Sequence, residues 1–250
     1  MWLAVVLVAT TSGAPALRFN PLVDAPIIAV LAMEDGGAWA LDRKYRHDDP
    51  CPCDPKALPW IERVAITSHD HASGEASNWL QYASIGAAPL LAALTDPGTP
   101  RDRVESGLIA VEAMALAGST TQLVKSAVRR PRPHAWGDQA TPPFDYHSFP
   151  SGHATAAFSA AASLTTLYAL RHPHARATRW IAAGGFVVAS ATGLLRVTAG
   201  KHFPSDVAAG ALIGSAIGVG VPLLHTQKSR IVVTISPDRV GFSMRFGSVR

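Results

Sequence analysis

The sequence predicts an all-α fold, a bundle of five to six helices followed by a small C-terminal β-hairpin. Three observations carry this expectation. Uncharged runs of helical length recur, at Ala154 to Leu170, Trp180 to Leu195 and Val207 to Leu224. These runs are rich in Ala, Gly and Ser, the residues of closely packed bundle helices. Period-two alternation, the mark of a half-buried strand, occurs only near the end, at Val240, Phe242, Met244 and Phe246.

Each element follows in order. Residues 1–16 start with an apolar run, Trp2 to Ala9, and end in Ala14-Pro15-Ala16, the small-x-small form of a cleavage site. They are read as an export signal, with a short anchoring helix as the alternative. Residues 17–78 form a polar extension, where Asp48 to Pro55 holds three prolines and excludes regular helix, and Ile61 to Ile66 is a candidate short helix. The helical core is placed at 79–225. It opens with the apolar run Trp79 to Leu94, which Thr95-Asp96-Pro97-Gly98 ends. Ser106 to Val128 is a second helix, and the three uncharged runs complete the set. In the tail, 226–250, Arg230 to Ile235 and Val240 to Phe246 flank Ser236-Pro237-Asp238-Arg239 as a hairpin.

Charge narrows the function. From Arg18 to Glu112 there are 8 basic and 14 acidic residues; from Lys125 to Arg250 there are 14 basic and 4 acidic. A basic half suits nucleic acid, an anionic membrane surface or a phosphorylated ligand. No nucleic-acid motif accompanies it, so no nucleic-acid partner is expected. The runs approach the ~20 residues that cross a bilayer core. With residue 17 outside, five crossings place Lys125 to Pro150 and Arg196 to Ser205 on the outer face. The arginine-bearing loop Arg171 to Arg179 then lies inside, as the positive-inside rule prefers. Glu112, at mid-helix, must then face the protein interior. The expected location is the cell envelope of an exporting, bacterial-type cell, with the site on the outer, periplasmic face of a membrane bundle; a soluble periplasmic bundle is the alternative. Cys51 and Cys53, one residue apart, are too close for a usual zinc pair and are read as a loop detail.

Three clusters carry chemistry: Lys125 with Arg132-Pro133, Pro150-Ser151-Gly152-His153, and Arg196 with His202 and Asp206. Each sits at a helix end. A phosphate ester carries up to two negative charges and needs several fixed donors around it. Lys125, Arg132 and Arg196 supply cations. Ser151 and Gly152 begin a helix whose free N–H groups favour an anion, and Gly152 admits close backbone approach. Histidine serves as nucleophile or general acid near neutral pH. Asp206, four residues after His202, suits a carboxylate that accepts one ring N–H and leaves the other nitrogen to attack phosphorus. His153 then serves as the acid. Singly, each cluster has a bland reading: a solvated basic patch, a helix cap, an i,i+4 pair. His69-Asp70-His71 is read as a solvated loop, and Trp136 and His147 are candidates for a substrate entrance.

In order and spacing, these clusters resemble the type 2 phosphatidic acid phosphatase and vanadium haloperoxidase superfamily, from about Trp79 to Leu224. Its pattern is Lys-x6-Arg-Pro, Pro-Ser-Gly-His and Ser-Arg-x5-His-x3-Asp; Leu195 departs from it by standing in place of the last motif's serine. Pro-Ser-Gly-His alone arises by chance in a chain of this length at a rate on the order of one in a thousand. The resemblance implies a helical bundle. It assigns phosphate binding to Lys125, Arg132, Arg196, Ser151 and Gly152, the acid to His153, the nucleophile to His202 and its partner to Asp206. The implied activity is hydrolysis of phosphate monoesters or pyrophosphates, lipid phosphates being favoured by the apolar helices, with no cofactor or metal. A lipid phosphotransferase, a vanadate-dependent haloperoxidase and a non-catalytic membrane protein are the competing classes.

Overall fold

A computed structural model describes residues 15, 17–31, 53–136 and 146–226, and the backbone of 230–236 and 239–245. The expected export signal at 1–16 lies outside the described residues, apart from residue 15. Helix starts come from caps. The Asp70 carboxylate accepts the Ala72 and Ser73 N–H groups at 3.2 and 3.1 Å, so α3 (His71–Thr95) begins eight residues before Trp79. The polar extension expected up to residue 78 therefore ends inside a helix. Thr99 and Asp102 exchange side-chain and backbone bonds at 2.8 and 3.3 Å with Pro100 in the first turn, and α4 (Pro100–Val128) starts six residues before Ser106.

Around these run α1 (24–31) and α2 (Trp60–Arg63), then α5 (Gly152–Arg171), α6 (Ala177–Thr198) and α7 (Pro204–Leu224). The five long helices alternate in direction, and α5 sits among α3, α4, α6 and α7. The C-termini of α4 and α6 and the N-termini of α5 and α7 thus share one end of the bundle. Beyond α7, β1 (Arg230–Ser236) pairs antiparallel with β2 (Arg239–Arg245), Arg230 opposite Arg245.

The interior is built from small residues. Ala110, Ala113, Ala154, Ala157, Ser159 and Ser163 are buried, while Leu94, Val187, Leu194 and Leu212 are largely exposed. On α7, Gly210, Gly214 and Gly218 recur every four residues against α5. A Cβ at Gly214 would lie 2.3 Å from the Thr155 carbonyl oxygen, so only glycine permits this approach. Three segments, Pro100–Ala135, Ala177–Thr198 and Pro204–Leu224, are long and apolar enough to cross a membrane. Trp79 and Tyr82 are exposed near one end of the bundle and Trp180 near the other, as interfacial aromatics are.

Two findings bear on topology. Glu112 is buried, facing His225 at the end of α7, with Oε2 to Nε2 at 3.2 Å; Asp24 of α1 lies 3.6 Å from the same nitrogen. The mid-helix acid does face the interior. Leu17, however, bridges Thr226, and the Arg18 N–H donates to the His225 carbonyl at 3.0 Å. Residue 17 thus lies with the far end of α7, opposite the loops that carry the three clusters, not on their face as expected. The polar composition of the extension concealed α1, which runs alongside α4 toward the cluster end: Asp24 is beside Glu112, and the Leu31 carbonyl accepts from Ser119 at 3.1 Å.

Candidate active site

The α4 helix carries Lys125 in its last turn, buried to 8% exposure. Arg129, in the left-handed region at φ 49°, then turns the chain toward Arg132. Arg132 donates to the Lys201 carbonyl at 3.4 Å, across to the loop after α6. Ser151 caps α5, its hydroxyl accepting from the Ala154 N–H at 3.4 Å, and its own N–H donates to the Asp206 carbonyl at 3.0 Å. A Cβ on Gly152 would come within 3.8 Å of the Lys125 ammonium, so this cation sits over the start of α5. Arg196, in the last turn of α6, is buried. It donates to Ser77 Oγ at 3.2 Å and Asn78 Oδ1 at 3.3 Å, while its Nε–H meets no acceptor among the described residues. A buried guanidinium with an open N–H fits an anion. Leu195 has no hydroxyl to offer; Ser77, from α3, supplies one to Arg196.

His202 is fully buried in the loop between α6 and α7. Its Nδ1 lies 2.8 Å from the Ser148 carbonyl oxygen. A carbonyl only accepts, so Nδ1 carries the hydrogen and Nε2 presents its lone pair. Burial, followed by the charges of Arg132, Lys125, Arg196 and His153, holds the ring's pKa well below its usual value, and it is neutral at pH 7. The expected direct bond to Asp206 is absent: its Oδ2 stands 3.6 Å from Nδ1. Asp206 sits in the first turn of α7 and folds back to cap it, Oδ2 accepting from the Phe203 N–H at 2.9 Å and from Ser148 Oγ at 2.5 Å. Its Oδ1 takes Arg130 at 2.6 Å. Asp206 therefore reaches His202 through Ser148. His153, at the start of α5, has Nε2 2.9 Å from Asn78 Oδ1.

The three clusters converge. Lys125, Arg132 and Arg196 all lie within electrostatic reach of both imidazoles, and His153 within reach of His202. Arg132 and Arg196 also line a cavity of about 420 Å³ with Asn78 and Lys201. His69, Asp70 and His71 are exposed, but Asp70 caps α3 and His71 begins it, so only His69 lies in a loop, and all three stand on the rim of this cavity. Trp136 packs edge-on against Phe203, 6.0 Å between centroids, which places it under the His202 loop. Sequence reasoning missed Ser148, Asn78, Arg130 and Glu62. Their roles come from contacts across 54 to 143 positions, which no local pattern announces.

Fold and site together define a helical bundle with a cationic pocket at one end, holding one buried and one half-buried imidazole. Residues 106–230 match the model of the PAP2 superfamily, and the chain belongs to that family. A lipid A 1-phosphatase of Porphyromonas gingivalis is 35% identical over 105 residues, covering 42% of this chain and 20% of its own length. A second, from Rhizobium etli, is 32% identical over 134 residues, 50% of this chain and 52% of that one. The chain thus spans from a fifth to about half of these relatives. A decaprenylphosphoryl-5-phosphoribose phosphatase of Mycobacterium tuberculosis is 31% identical over 162 residues, 64% of this chain and 78% of that protein. In fold, the chain is similar to the transmembrane PAP2-type phosphatidylglycerolphosphate phosphatase of Bacillus subtilis, with TM-score 0.51 and 16% identity over 80% of this chain and 94% of that one. With its bilayer-length apolar helices, the chain is a membrane protein.

Proposed function

We propose that the chain hydrolyses the phosphate monoester or pyrophosphate of a lipid through a phosphohistidine on His202. One observation carries the reading: a buried neutral imidazole, with Nε2 left as its nucleophilic nitrogen, lies among three cations and the start of α5. Lys125, Arg132, Arg196 and the first N–H groups of α5 would hold the phosphoryl oxygens, with Ser151 and Gly152 shaping that turn. Nε2 of His202 attacks phosphorus and the bond to the leaving oxygen breaks; His153, held protonated by the bound phosphate dianion, which offsets the neighbouring cations, gives that oxygen its proton. Water then attacks the phosphorus, its proton passes to His153, and the N–P bond breaks to release phosphate.

A lipid substrate is supported by a second, apolar cavity of about 470 Å³ between α3, α5 and α6. Leu80, Leu91, Leu164, Ile181 and Val188 help to line it, and on α3 its lining begins at Leu80, two positions after Asn78 of the phosphate pocket. An acyl or prenyl chain fits such a surface.

The site is read as facing outward. Arg176 and Arg179 stand at the opposite end, as the positive-inside rule favours. Cys53 is disulfide-bonded and precedes α2 at the site end, which suits an oxidising compartment. Residue 17 then lies on the inner face, where an outward-acting signal peptidase would not reach it, so this reading keeps the outward site and drops cleavage after Ala16. The test is phosphate release from purified protein, offered lipid A, prenyl phosphates, phosphatidylglycerophosphate, phosphatidic acid and soluble esters. Release from a lipid at least tenfold faster than from soluble esters is expected. Activity confined to soluble esters would overturn the lipid assignment, and none at all would overturn the phosphatase.

A further inference from the structure

We infer that Arg130 and Glu62 are positioning residues for the nucleophile, holding Asp206 and Ser148 so that His202 keeps its Nδ1–H and presents Nε2. The inference rests on the phosphatase reading above but concerns two residues outside its catalytic set. Neither belongs to the three clusters, and Glu62 lies outside the family-matched segment.

The geometry forms a closed clamp. The Arg130 guanidinium donates to Asp206 Oδ1 at 2.6 Å, Ser205 Oγ at 2.7 Å and Glu62 Oε2 at 2.9 Å, with its face 4.1 Å above the Phe203 ring. Glu62 Oε1 accepts the Ser205 N–H at 3.1 Å, and Oε2 the Ser205 hydroxyl at 3.0 Å, so α2 is bound to the first turn of α7. The main chain of Arg130 closes the other side: its carbonyl accepts the Ser148 N–H at 3.0 Å. Ser148 is thus held through its N–H by Arg130 and through its hydroxyl by Asp206, while its carbonyl takes the His202 ring. Three separated stretches of chain fix one imidazole.

The clamp also sets charge. Around His202 stand Lys125, Arg132, Arg196 and His153, and among the described residues Asp206 is the carboxylate beside its Nδ1, at 3.6 Å. Asp206 is fully buried, and Arg130 compensates its charge directly. Without that guanidinium, the bare carboxylate 3.6 Å from Nδ1 favours a proton on His202, and a protonated ring cannot attack phosphorus. Loss of the Glu62 charge acts oppositely, since it leaves Arg130 wholly to Asp206. A merely structural role predicts no such opposition of sign.

The test compares Arg130→Gln, Arg130→Lys and Glu62→Gln with the wild type by two readouts. In the first, Arg130→Gln lowers kcat about 100-fold while KM and inhibition by vanadate change less than threefold, because Lys125, Arg132 and Arg196 remain. The acid limb of its kcat/KM profile moves up by roughly one pH unit. Arg130→Lys restores part of the rate, and Glu62→Gln loses less than tenfold with its acid limb unmoved or lower. The second readout needs no turnover: ¹⁵N-labelled imidazole signals report the tautomer and titration of His202. The Nδ1–H form is expected in the wild type at pH 7, and the form protonated on both nitrogens should set in about one pH unit higher in Arg130→Gln than in the wild type. A wild type that releases no phosphate would sink the phosphatase reading, and the ¹⁵N titration would still decide the clamp. Identical His202 titration in all four proteins would overturn it, as would equal losses of kcat, vanadate binding and thermal stability in Arg130→Gln and Arg130→Lys.

Discussion

Replacing Gly210 by Ala tests how the bundle sets the site. A Cβ at this position would sit 2.6 Å from the Ser151 carbonyl oxygen and 3.0 Å from Thr155 Oγ1. Ordinary contact needs about 3.4 Å or more, so α5 and α7 must separate by roughly 0.8 Å. The added carbon strains the small-residue seam and costs about 1–3 kcal/mol, or roughly 2–12 °C in melting temperature for a chain of this size. The shift falls where Ser151 meets the Asp206 carbonyl at 3.0 Å, so it moves the anion-binding turn of α5 against the His202 loop. A displacement near 1 Å between reacting groups costs about 100-fold in rate. Gly218→Ala provides the contrast. Its Cβ meets the Ser159 carbonyl at the same 2.6 Å, but two turns further from the site, so it should lower stability similarly and turnover by less than tenfold. Gly220→Ala, with nothing within 4 Å, should change neither. Thermal unfolding in detergent and phosphate release measure both effects. A Gly210→Ala protein as stable and active as Gly220→Ala would refute the idea that this seam positions the site.

Two other outcomes follow. Asn78→Ala removes the acceptor of His153 and one partner of Arg196. Turnover of alkyl phosphates should fall about 10- to 100-fold, and that of p-nitrophenyl phosphate less than threefold, because a good leaving group needs no acid; equal losses on both would count against His153 as the acid. The second concerns His225. Burial alone would lower its pKa, but the Glu112 carboxylate 3.2 Å away, the Val221 carbonyl and the charge of Asp24 outweigh it and raise the value to about 9. A raised pKa contributes stability that is full below about 6.5, the unfolded value, and is lost as pH climbs through about 9. The wild type should therefore exceed His225→Gln in melting temperature at pH 6.5, by an energy on the order of 3 kcal/mol, with the gap closing by pH 10. Parallel melting curves across that range would deny the ion triad.

The long helices were legible because uncharged runs of 16 to 18 residues leave few alternatives to a bundle. Their starts were set by signals present in the sequence but easily passed over, Asp70 before α3 and Thr99-Pro100 with Asp102 before α4. The first helix was hidden because its residues fall in a stretch whose average composition is polar, although 25–33 is apolar throughout. At the site, the three clusters were visible because helix ends fix their spacing. The His202–Asp206 interval was misread because two demands compete for one carboxylate: a residue in the first turn of α7 satisfies the helix N-terminus first and leaves the ring to the Ser148 carbonyl. Glu62 and Arg130, 68 positions apart, are joined only by the fold.

The most direct measurement is to trap the covalent species. Protein mixed with ³²P-labelled lipid phosphate and quenched within milliseconds into alkaline denaturant should carry acid-labile, alkali-stable label, with mass spectrometry placing one phosphoryl group on His202. His202→Ala should carry none. Label on any other residue, or rapid phosphate release by the His202→Ala protein, would contradict a nucleophilic imidazole at that position.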